Sequence, residues 1–361
     1  EAALRQAARM LNGAMRPLLL AGAGARGARE PLLALAYRLG APVLTTCRSK
    51  GLIPAEEPLA GGTPGLLGTP VADDLLREAD TILAVGCSLS ESTSGGWQLL
   101  RPDQNLLQMD LDAGQIGRLY PAAVGLWGDA SASLERLMAL LPQCEVREPW
   151  ADVPARRREL QGLLEAKAGE LVSPIKPQFL VRALQQALPE DSILALDTGD
   201  HAYFMCQQYA VRRETVLMSY HLASTGFALP AAMAAGLAHP ERQAVAVVGD
   251  GGLTYSLGEL VSAVEHSLPV LVVCFNNHRL GMINSQEERM GLTPFFTERP
   301  QTDFARVAEA LGAEGVHVEE PAALDAAIRR GVKARRPFVL DVAVDPLETQ
   351  ATALQMERER A

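Results

Sequence analysis

Runs of consecutive apolar residues alternate with helix-like segments along most of the chain, and no other sequence feature constrains the fold as strongly. The runs at 244–248 and 269–275 are apolar throughout, which is typical of strands covered on both faces. Strands that alternate with helices form parallel sheets, because each parallel connection needs a crossover segment. The sequence therefore predicts an α/β protein with two doubly wound parallel-sheet domains.

A proline-rich break separates the two alternating blocks. Five prolines lie between residues 142 and 177, and the stretch between them contains a charged helix, 155–171. Prolines at both ends of a polar helix are typical of an interdomain linker. We expect four segments, namely a Rossmann-like domain at 1–142, a linker with a helix at 143–176, a second sheet domain at 177–346 and a C-terminal tail at 347–361.

Composition excludes several classes of function. The 361 residues carry 33 Lys plus Arg against 43 Asp plus Glu, a net charge of −10, so we expect no nucleic-acid partner. No uninterrupted run of about 18 apolar residues occurs, so no membrane span is predicted. Five dispersed cysteines and no signal peptide are typical of free thiols in a reducing compartment, which predicts a cytoplasmic protein. Because the chain begins with Glu1 rather than Met, we expect a fragment or a processed chain.

The stretch from Val248 to Met282 carries the most informative polar residues. It has the pattern of a strand, a helix at Ser256–His266 and a second strand, and each strand ends in a polar cluster. The clusters are Gly249–Asp250–Gly251 and Asn276–Asn277. Ligands of open α/β sheets bind outside the carboxyl ends of the strands, so both clusters should border one crevice.

These clusters suit a diphosphate that is held through a divalent metal. The Asp250 carboxylate, the Asn277 amide oxygen and the Arg279 backbone carbonyl can provide three oxygen ligands. They leave room for phosphate oxygens and water around an octahedral Mg²⁺. Gly251 and Gly252 allow the backbone to approach a diphosphate near a helix N-terminus. We therefore predict a Mg²⁺–diphosphate site at this edge of the sheet.

The spacing of the two clusters resembles the cofactor motif of thiamine-diphosphate enzymes. Gly-Asp-Gly is followed, after 24 residues, by Asn-Asn. The segment 224–232 resembles the one that lines the thiazolium pocket in that family, and 197–201 resembles its early diphosphate contact. Residues 17–24 and 105–117 resemble the family's central domain. The likeness covers nearly the whole chain and is to the acetolactate synthase-like group, which includes 2-oxo-acid decarboxylases and carboligases.

The resemblance implies a central domain followed by a thiamine-diphosphate-binding domain, with thiamine diphosphate and Mg²⁺ as cofactors. The residues that it implies in cofactor binding are Gly199, His201, Ser224, Thr225, Gly249, Gly251, Gly252 and Met282. In the family, a preceding pyrimidine-binding domain provides the catalytic glutamate. No segment of this sequence resembles that domain, so the catalytic residue is unknown and we expect the chain alone to be inactive. We expect a homodimer, a homotetramer or a partner chain with the pyrimidine domain.

The expected reaction is decarboxylation or carboligation of a small-molecule 2-oxo acid. Gln286 stands where acetolactate synthases carry a tryptophan that selects the acceptor, which argues against acetolactate synthase itself. Glu287 or Glu288 would suit a cationic 2-oxo acid such as 5-guanidino-2-oxopentanoate, although a solvated start of a charged helix explains the same residues. A non-catalytic fragment or regulatory homologue is a further alternative.

The glycines at 22–27 form a G-x-G-x-x-G pattern between a strand and a helix, which binds a dinucleotide in another class of protein. A nicotinamide-dependent dehydrogenase would also need an acidic residue about 20 positions later, and 41–50 contain none. A tight strand–helix turn is therefore the favoured interpretation. Central domains of the acetolactate synthase-like group hold FAD, ADP or nothing, so FAD binding stays undecided.

Overall fold

The computed structural model describes residues 1–142, 148, 150–219 and 221–348. The chain divides into two compact units, Glu1–Leu160 and Gln161–Ala361. Cys144 and the tail from 349 onward lie outside the described residues, and the predicted linker and tail boundaries stay predictions. The other four cysteines are buried free thiols. Within the described ranges, no helix combines the length and the apolar character that a membrane span requires.

The first unit is built on a six-stranded sheet. Its strands are β1 (Pro17–Ala21), β2 (Val43–Thr45), β3 (Ala60–Gly62), β4 (Thr81–Val85), β5 (Asn105–Asp110) and β6 (Val124–Trp127). All are parallel, in the order β3-β2-β1-β4-β5-β6. Its helices are α1 (Ala2–Gly13), α2 (Arg29–Leu39), α3 (Pro70–Glu78), α4 (Ala130–Leu140) and α5 (Val153–Ala168), the last of which continues into the second unit.

An apolar cluster on each face of this sheet holds the helices in place. Helices α1, α2 and α4 contribute Leu11, Leu35 and Leu134 to one cluster. Helix α3 contributes Leu75 to the other cluster, which also contains Trp150. Every residue of β1 and β4 is buried, because successive side chains of a strand point to opposite faces and both faces are covered.

The second unit repeats the architecture. Its strands are β7 (Ile193–Leu196), β8 (Thr215–Met218), β9 (Ala244–Gly249), β10 (Leu271–Asn276), β11 (Glu314–Val318) and β12 (Phe338–Ala343). They are parallel, in the order β11-β12-β10-β9-β7-β8. Its helices are α6 (Pro177–Ala187), α7 (Asp200–Gln208), α8 (Ala228–Ala238), α9 (Asp250–Ser256), α10 (Glu259–Glu265), α11 (Gly281–Arg289), α12 (Phe304–Ala310) and α13 (Pro321–Lys333). The predicted pair of parallel α/β sheets is confirmed.

The strand order of the second sheet reverses between β7 and β9. The chain passes from β7 to β8 on one side, and then returns to β9 on the other side of β7. In open α/β sheets, the crevice beyond the carboxyl ends at such a reversal is the usual ligand site. The segments at these two strand ends are 197–201 and 249–252, which include six of the predicted site residues, namely Gly199, His201, Gly249, Asp250, Gly251 and Gly252.

The connection between β9 and β10 differs from the prediction. A single helix at Ser256–His266 was expected, but the structure has two short helices, α9 and α10, with the first starting at Asp250. Gly251 and Gly252 have little intrinsic helix propensity, which is why the sequence alone favours a loop there. Asp250 and both glycines therefore form the first turn of a helix directly after the strand.

Candidate functional site

A cavity of about 230 Å³ opens at the carboxyl ends of β7, β9 and β10. The predicted site residues that line it are Gly199, His201, Thr225, Gly249, Asp250, Gly251, Gly252, Asn277, Arg279 and Met282. Ser224, in the loop before α8, is partly buried but is not among the lining residues. The fold thus gathers segments from 199 to 282 around one cavity.

Asp250 and Asn277 follow neighbouring strands. Gly249 pairs with Phe275 in the ladder between β9 and β10, so both polar residues leave the sheet at the same edge. Asn277 Oδ1 accepts a hydrogen bond from Arg279 N at 3.0 Å, which fixes the turn after β10. One ladder and one turn therefore bring the three predicted metal ligands to a common edge.

The Asp250 carboxylate lies in a buried environment with one cation nearby. The residue is 4% exposed, and its Oδ2 lies 3.8 Å from Arg299 Nε. Burial raises the pKa of Asp250 to about 6, although a hydrogen bond from the Gly251 backbone and the charge of Arg299 oppose this rise. A cation in the cavity would stabilise the ionised carboxylate and offset its desolvation.

Glycines line the cavity at positions where a side chain would collide with a neighbour. A Cβ on Gly199 would lie 2.8 Å from His201 Cε1, and its φ of +152° also favours glycine. A Cβ on Gly249 would lie 3.1 Å from His201 Nδ1, and one on Gly251 would lie 2.8 Å from Leu280 Cδ2. Packing therefore requires glycine at these positions, which leaves the backbone of the cavity wall without side chains.

His201 is a neutral imidazole with an unused nitrogen. The residue is 3% exposed, and its Nε2 has no hydrogen-bond partner among the residues that the structure describes. Burial lowers the pKa of His201 to about 4, and a hydrogen bond to the Asp197 backbone opposes this effect only partly. The side chain can therefore serve a ligand as a neutral hydrogen-bonding group at the wall of the cavity.

Asp197, to which the sequence assigned no individual role, fixes the loop that carries Thr225. Its carboxylate accepts hydrogen bonds from Gly226 N at 3.0 Å and from Ala228 N at 3.3 Å, next to the start of α8. It also accepts one from Thr198 N at 2.7 Å. The end of β7 and the start of α8 are therefore held together by one buried carboxylate.

Asp200, which the sequence also did not single out, lines the cavity at the start of α7. Burial raises the pKa of Asp200 to about 7, and the charge of Arg289 opposes this rise. Its Oδ1 has no hydrogen-bond partner in the described part of the chain. A Cβ on Gly281 would lie 2.2 Å from Asp200 Oδ2, so the Asp200 carboxylate packs directly against the Gly281 backbone.

The two neighbouring asparagines have different environments. Asn276 is buried, and its Nδ2 donates to Asp341 Oδ1 at 3.0 Å and to the Thr302 carbonyl at 2.9 Å. Asp341 also accepts from Phe304 N at 3.0 Å and lies 2.9 Å from His317 Nδ1. Asn276 therefore anchors the end of β10 inside the protein, whereas the next residue in the chain reaches the cavity.

The glycine pattern at 22–27 has a packing explanation within the first unit. The segment Ala23–Ala28 is a 3₁₀ helix. A Cβ on Gly22 would lie 2.1 Å from the Gly86 carbonyl oxygen, and one on Gly24 would lie 2.8 Å from Gly86 Cα. Two of the three glycines are thus required where this turn meets the end of β4, which supports the tight-turn interpretation.

Two family models match this chain. The model of the thiamine pyrophosphate enzyme central domain matches residues 4–137, and that of the thiamine pyrophosphate enzyme C-terminal TPP binding domain matches residues 197–342. The chain therefore belongs to the thiamine pyrophosphate enzyme family, as the resemblance of its motifs implied. The second of these domains indicates thiamine diphosphate as the cofactor.

The names of similar proteins are consistent with this family. The chain is 32% identical over 338 residues to the Bacillus subtilis protein YdaP, which is named as thiamine pyrophosphate-containing. It is 34% identical over 326 residues to a probable 2-ketoarginine decarboxylase, AruI, of Pseudomonas aeruginosa. It is 30% identical over 366 residues to a probable acetolactate synthase large subunit of Methanocaldococcus jannaschii. These alignments cover 93%, 90% and 96% of this chain, but only 58%, 56% and 60% of the respective relatives.

Proposed function

We propose that the chain forms the diphosphate-binding part of a Mg²⁺-dependent thiamine-diphosphate enzyme that acts on a 2-oxo acid. The observation that supports this most is the common position of Asp250 and Asn277, which follow adjacent strands and line one glycine-rich cavity. The cavity also suits an anionic ligand, because glycine backbone without side chains borders it and His201 Nε2 lacks a partner among the described residues.

In this proposal, Mg²⁺ is held by the Asp250 carboxylate, the Asn277 amide oxygen and the backbone carbonyl of Arg279. Carboxylate, amide and carbonyl oxygens are the ligands that this hard cation prefers. The metal neutralises the buried Asp250 carboxylate and screens it from the diphosphate. Arg299, 3.8 Å from the same carboxylate, adds positive charge at the edge of the site.

The remaining predicted residues divide between two parts of the cofactor. Gly199, His201, Gly249, Gly251 and Gly252 would hold the diphosphate, and Thr225 would contact the thiazolium ring. Met282, which also lines the cavity, would contact the cofactor, whereas Ser224 would act from the loop beside Thr225. When bound, thiamine diphosphate supplies the nucleophilic carbon and the electron sink that allow a 2-oxo acid to lose CO₂. The protein residues orient the cofactor and exclude water from the diphosphate.

The fate of the substrate is either simple decarboxylation or carboligation to a second carbonyl compound. A cationic 2-oxo acid, such as 5-guanidino-2-oxopentanoate, is the alternative that the likeness to the probable 2-ketoarginine decarboxylase favours. Glu287 and Glu288, on α11, each accept one local hydrogen bond, from Phe295 N and from Asn284 Nδ2. Each carboxylate keeps acceptor capacity for a guanidinium group. Comparing pyruvate with the guanidino acid, in the parent and in Glu287→Gln and Glu288→Gln proteins, tests this alternative.

We further propose that a second polypeptide surface completes the site. Large apolar side chains next to the cavity are exposed, among them Tyr255, which is 75% exposed, and Ile283. Phe295 and Phe296, which follow α11, are 73% and 85% exposed. These side chains suit the interface of a homodimer, a homotetramer or a cytoplasmic partner chain that carries the pyrimidine domain.

Calorimetry on the Asp250→Asn protein tests the metal assignment. Thiamine diphosphate and, separately, inorganic pyrophosphate are titrated into the protein with Mg²⁺ and with EDTA. We expect Asp250→Asn to weaken the Mg²⁺-dependent affinity at least tenfold, about 1.4 kcal/mol, because the only charged metal ligand is lost. Asp325→Asn, on the exposed side of α13, is the matched control and should bind as the parent does.

Unchanged binding by the Asp250→Asn protein would refute the metal assignment.

A second experiment, the addition of a pyrimidine-binding domain of the same family, separates an enzyme from a regulatory homologue. Turnover of a 2-oxo acid on addition supports the enzyme, whereas metal-dependent cofactor binding without turnover supports the non-catalytic alternative. A nicotinamide-dependent dehydrogenase would instead show an NADH absorbance change that is insensitive to Asp250.

A further inference from the structure

A second cavity, of about 380 Å³, lies between helices of the second unit. It shares no lining residue with the candidate cofactor cavity. Its walls come from the end of α5, from α6 and from the end of α7. Five residues of α6 line the cavity at the spacing i, i+3, i+4, i+7 and i+8, which places them on one helix face, namely Gln178, Val181, Arg182, Gln185 and Gln186.

This cavity is lined by an unusual number of amide side chains whose hydrogen bonds are incomplete. Gln178 Oε1, Gln185 Nε2 and Gln208 Nε2 are buried and have no partner within the described ranges. Each buried polar atom without a partner costs about 1–3 kcal/mol. A polar ligand in the cavity would supply the partners that these three atoms lack.

The orientation of two of these amides is fixed by their other contacts. Gln178, which is 1% exposed, donates through Nε2 to Glu348 Oε1 at 2.8 Å, so its Oε1 is the free atom. Gln185 Oε1 accepts from Ala210 N at 2.7 Å, so its Nε2 is the free atom. A carboxylate cannot donate and a backbone N–H cannot accept, so neither amide can be flipped. The cavity therefore offers at least one acceptor and one donor of known identity.

One positive and one negative side chain also line the cavity. The Arg182 guanidinium lies 5.0 Å from the centre of the Phe179 ring, and it forms no ion pair with any described residue. Glu165, on α5, accepts a hydrogen bond from Gln161 Nε2 at 2.9 Å and likewise has no ion pair in the described part of the chain. The two charges are therefore available to a ligand that carries both signs.

We propose that this cavity binds a small zwitterion of the α-amino acid class. The carboxylate of the ligand accepts hydrogen bonds from Arg182 and from the free amide N–H groups of Gln185 and Gln208. Its ammonium group donates to Glu165 and to Gln178 Oε1. A ligand with only one charge would leave either Arg182 or Glu165 without a partner, so the site discriminates against simple amines and simple acids.

Binding is tested on the full chain by calorimetry and by thermal shift, with each of the common L-α-amino acids as the probe. We expect saturable binding of at least one amino acid. The amine that lacks its carboxylate, and the acid that lacks its ammonium group, should each bind at least tenfold more weakly. Arg182→Met keeps the apolar stem next to Phe179, and Glu165→Gln keeps the shape of an exposed side chain, so both proteins should fold. Each of these two substitutions should lower the affinity for the amino acid at least tenfold.

Arg329→Met, on the exposed face of α13, is the matched control and should leave binding unchanged. The Asp250→Asn protein should also bind the amino acid normally, which separates this cavity from the proposed cofactor site. The proposal is overturned if no amino acid binds, because water alone then fills the cavity. It is equally overturned if Arg182→Met and Glu165→Gln bind with the parent's affinity.

Discussion

Because its imidazole is buried, we expect His201 by itself to lower the stability of the folded protein in acid. In the folded protein, burial lowers the pKa of His201 from the usual 6.5 to about 4. The unfolded chain therefore binds a proton between these two pH values, whereas the folded chain does not. Protonation of the unfolded state pulls the equilibrium towards unfolding, so stability should fall as the pH drops from 6.5 to 4.

The size of the effect follows from the two pKa values. Each tenfold change in proton affinity corresponds to about 1.4 kcal/mol, and the pKa falls by about 2.5. His201 should therefore lower the free energy of unfolding by about 3 kcal/mol when the pH changes from 8 to 4. Nearby buried carboxylates, such as Asp200 and Asp250, have raised pKa values and act with the opposite sign. Their contribution cancels when two proteins that both contain them are compared.

The comparison is between the parent and the His201→Asn protein, unfolded by urea at several pH values from 4 to 8. Circular dichroism reports both units, while the three tryptophans report the first unit alone, so the transition of the second unit can be identified. The stability of the parent minus that of the variant should fall by about 3 kcal/mol from pH 8 to pH 4. Met205→Leu, a change of similar volume on the same helix, should give an offset that does not vary with pH. If the stability difference between the parent and the His201→Asn protein is the same at pH 4 and at pH 8, the reasoning is refuted.

Three further predictions concern stability. Gly86→Ala should lower the free energy of unfolding of the first unit by about 2–3 kcal/mol, because the φ of Gly86 is +53° and a Cβ would lie 2.5 Å from Gly24 Cα. Tryptophan fluorescence in urea measures this, and unchanged stability would contradict it. Asp341→Ala should cost about 3–5 kcal/mol, by circular dichroism in urea, because Asn276 Nδ2, Phe304 N–H and His317 each lose a hydrogen-bond partner; a loss below about 1 kcal/mol would contradict this. Thr69→Ala should lower the stability by about 1 kcal/mol, because the Thr69 side chain caps the N-terminus of α3. Thermal unfolding measures this, and an unchanged midpoint would show that the cap does not stabilise the protein.

The strands could be predicted because their sequence pattern and their environment agree. The apolar run at 244–248 becomes β9, in which the first five residues are buried, and the run at 269–275 overlaps β10, which is buried throughout. A parallel strand covered on both faces needs apolar residues at every position, so the signal is strong and local. Alternation of such runs with helices is sufficient to predict both sheets.

Other elements were not predicted because their environments weaken the local signal. Helix α7 is buried from His201 to Cys206, on all its sides, so its sequence lacks the 3.6-residue period of an amphipathic helix. Strand β11 is an edge strand, and only Val318 is buried, so polar residues interrupt its apolar pattern. In both cases tertiary packing decides the conformation, and the local sequence does not reveal it.

The contrast between the two cavities shows where sequence carries functional information and where it does not. Asp250 and Asn277 could be paired from sequence because a parallel sheet necessarily brings the ends of neighbouring strands to one edge. Gln178 and Gln208 lie on different helices, and no rule of local geometry requires their side chains to meet. A glutamine on a helix is usually solvated, so the pattern alone predicts nothing for them. Only the packing of α6 and α7 leaves Gln178 Oε1 and Gln208 Nε2 buried without a partner among the described residues, and this is why the second site can be inferred from the structure alone.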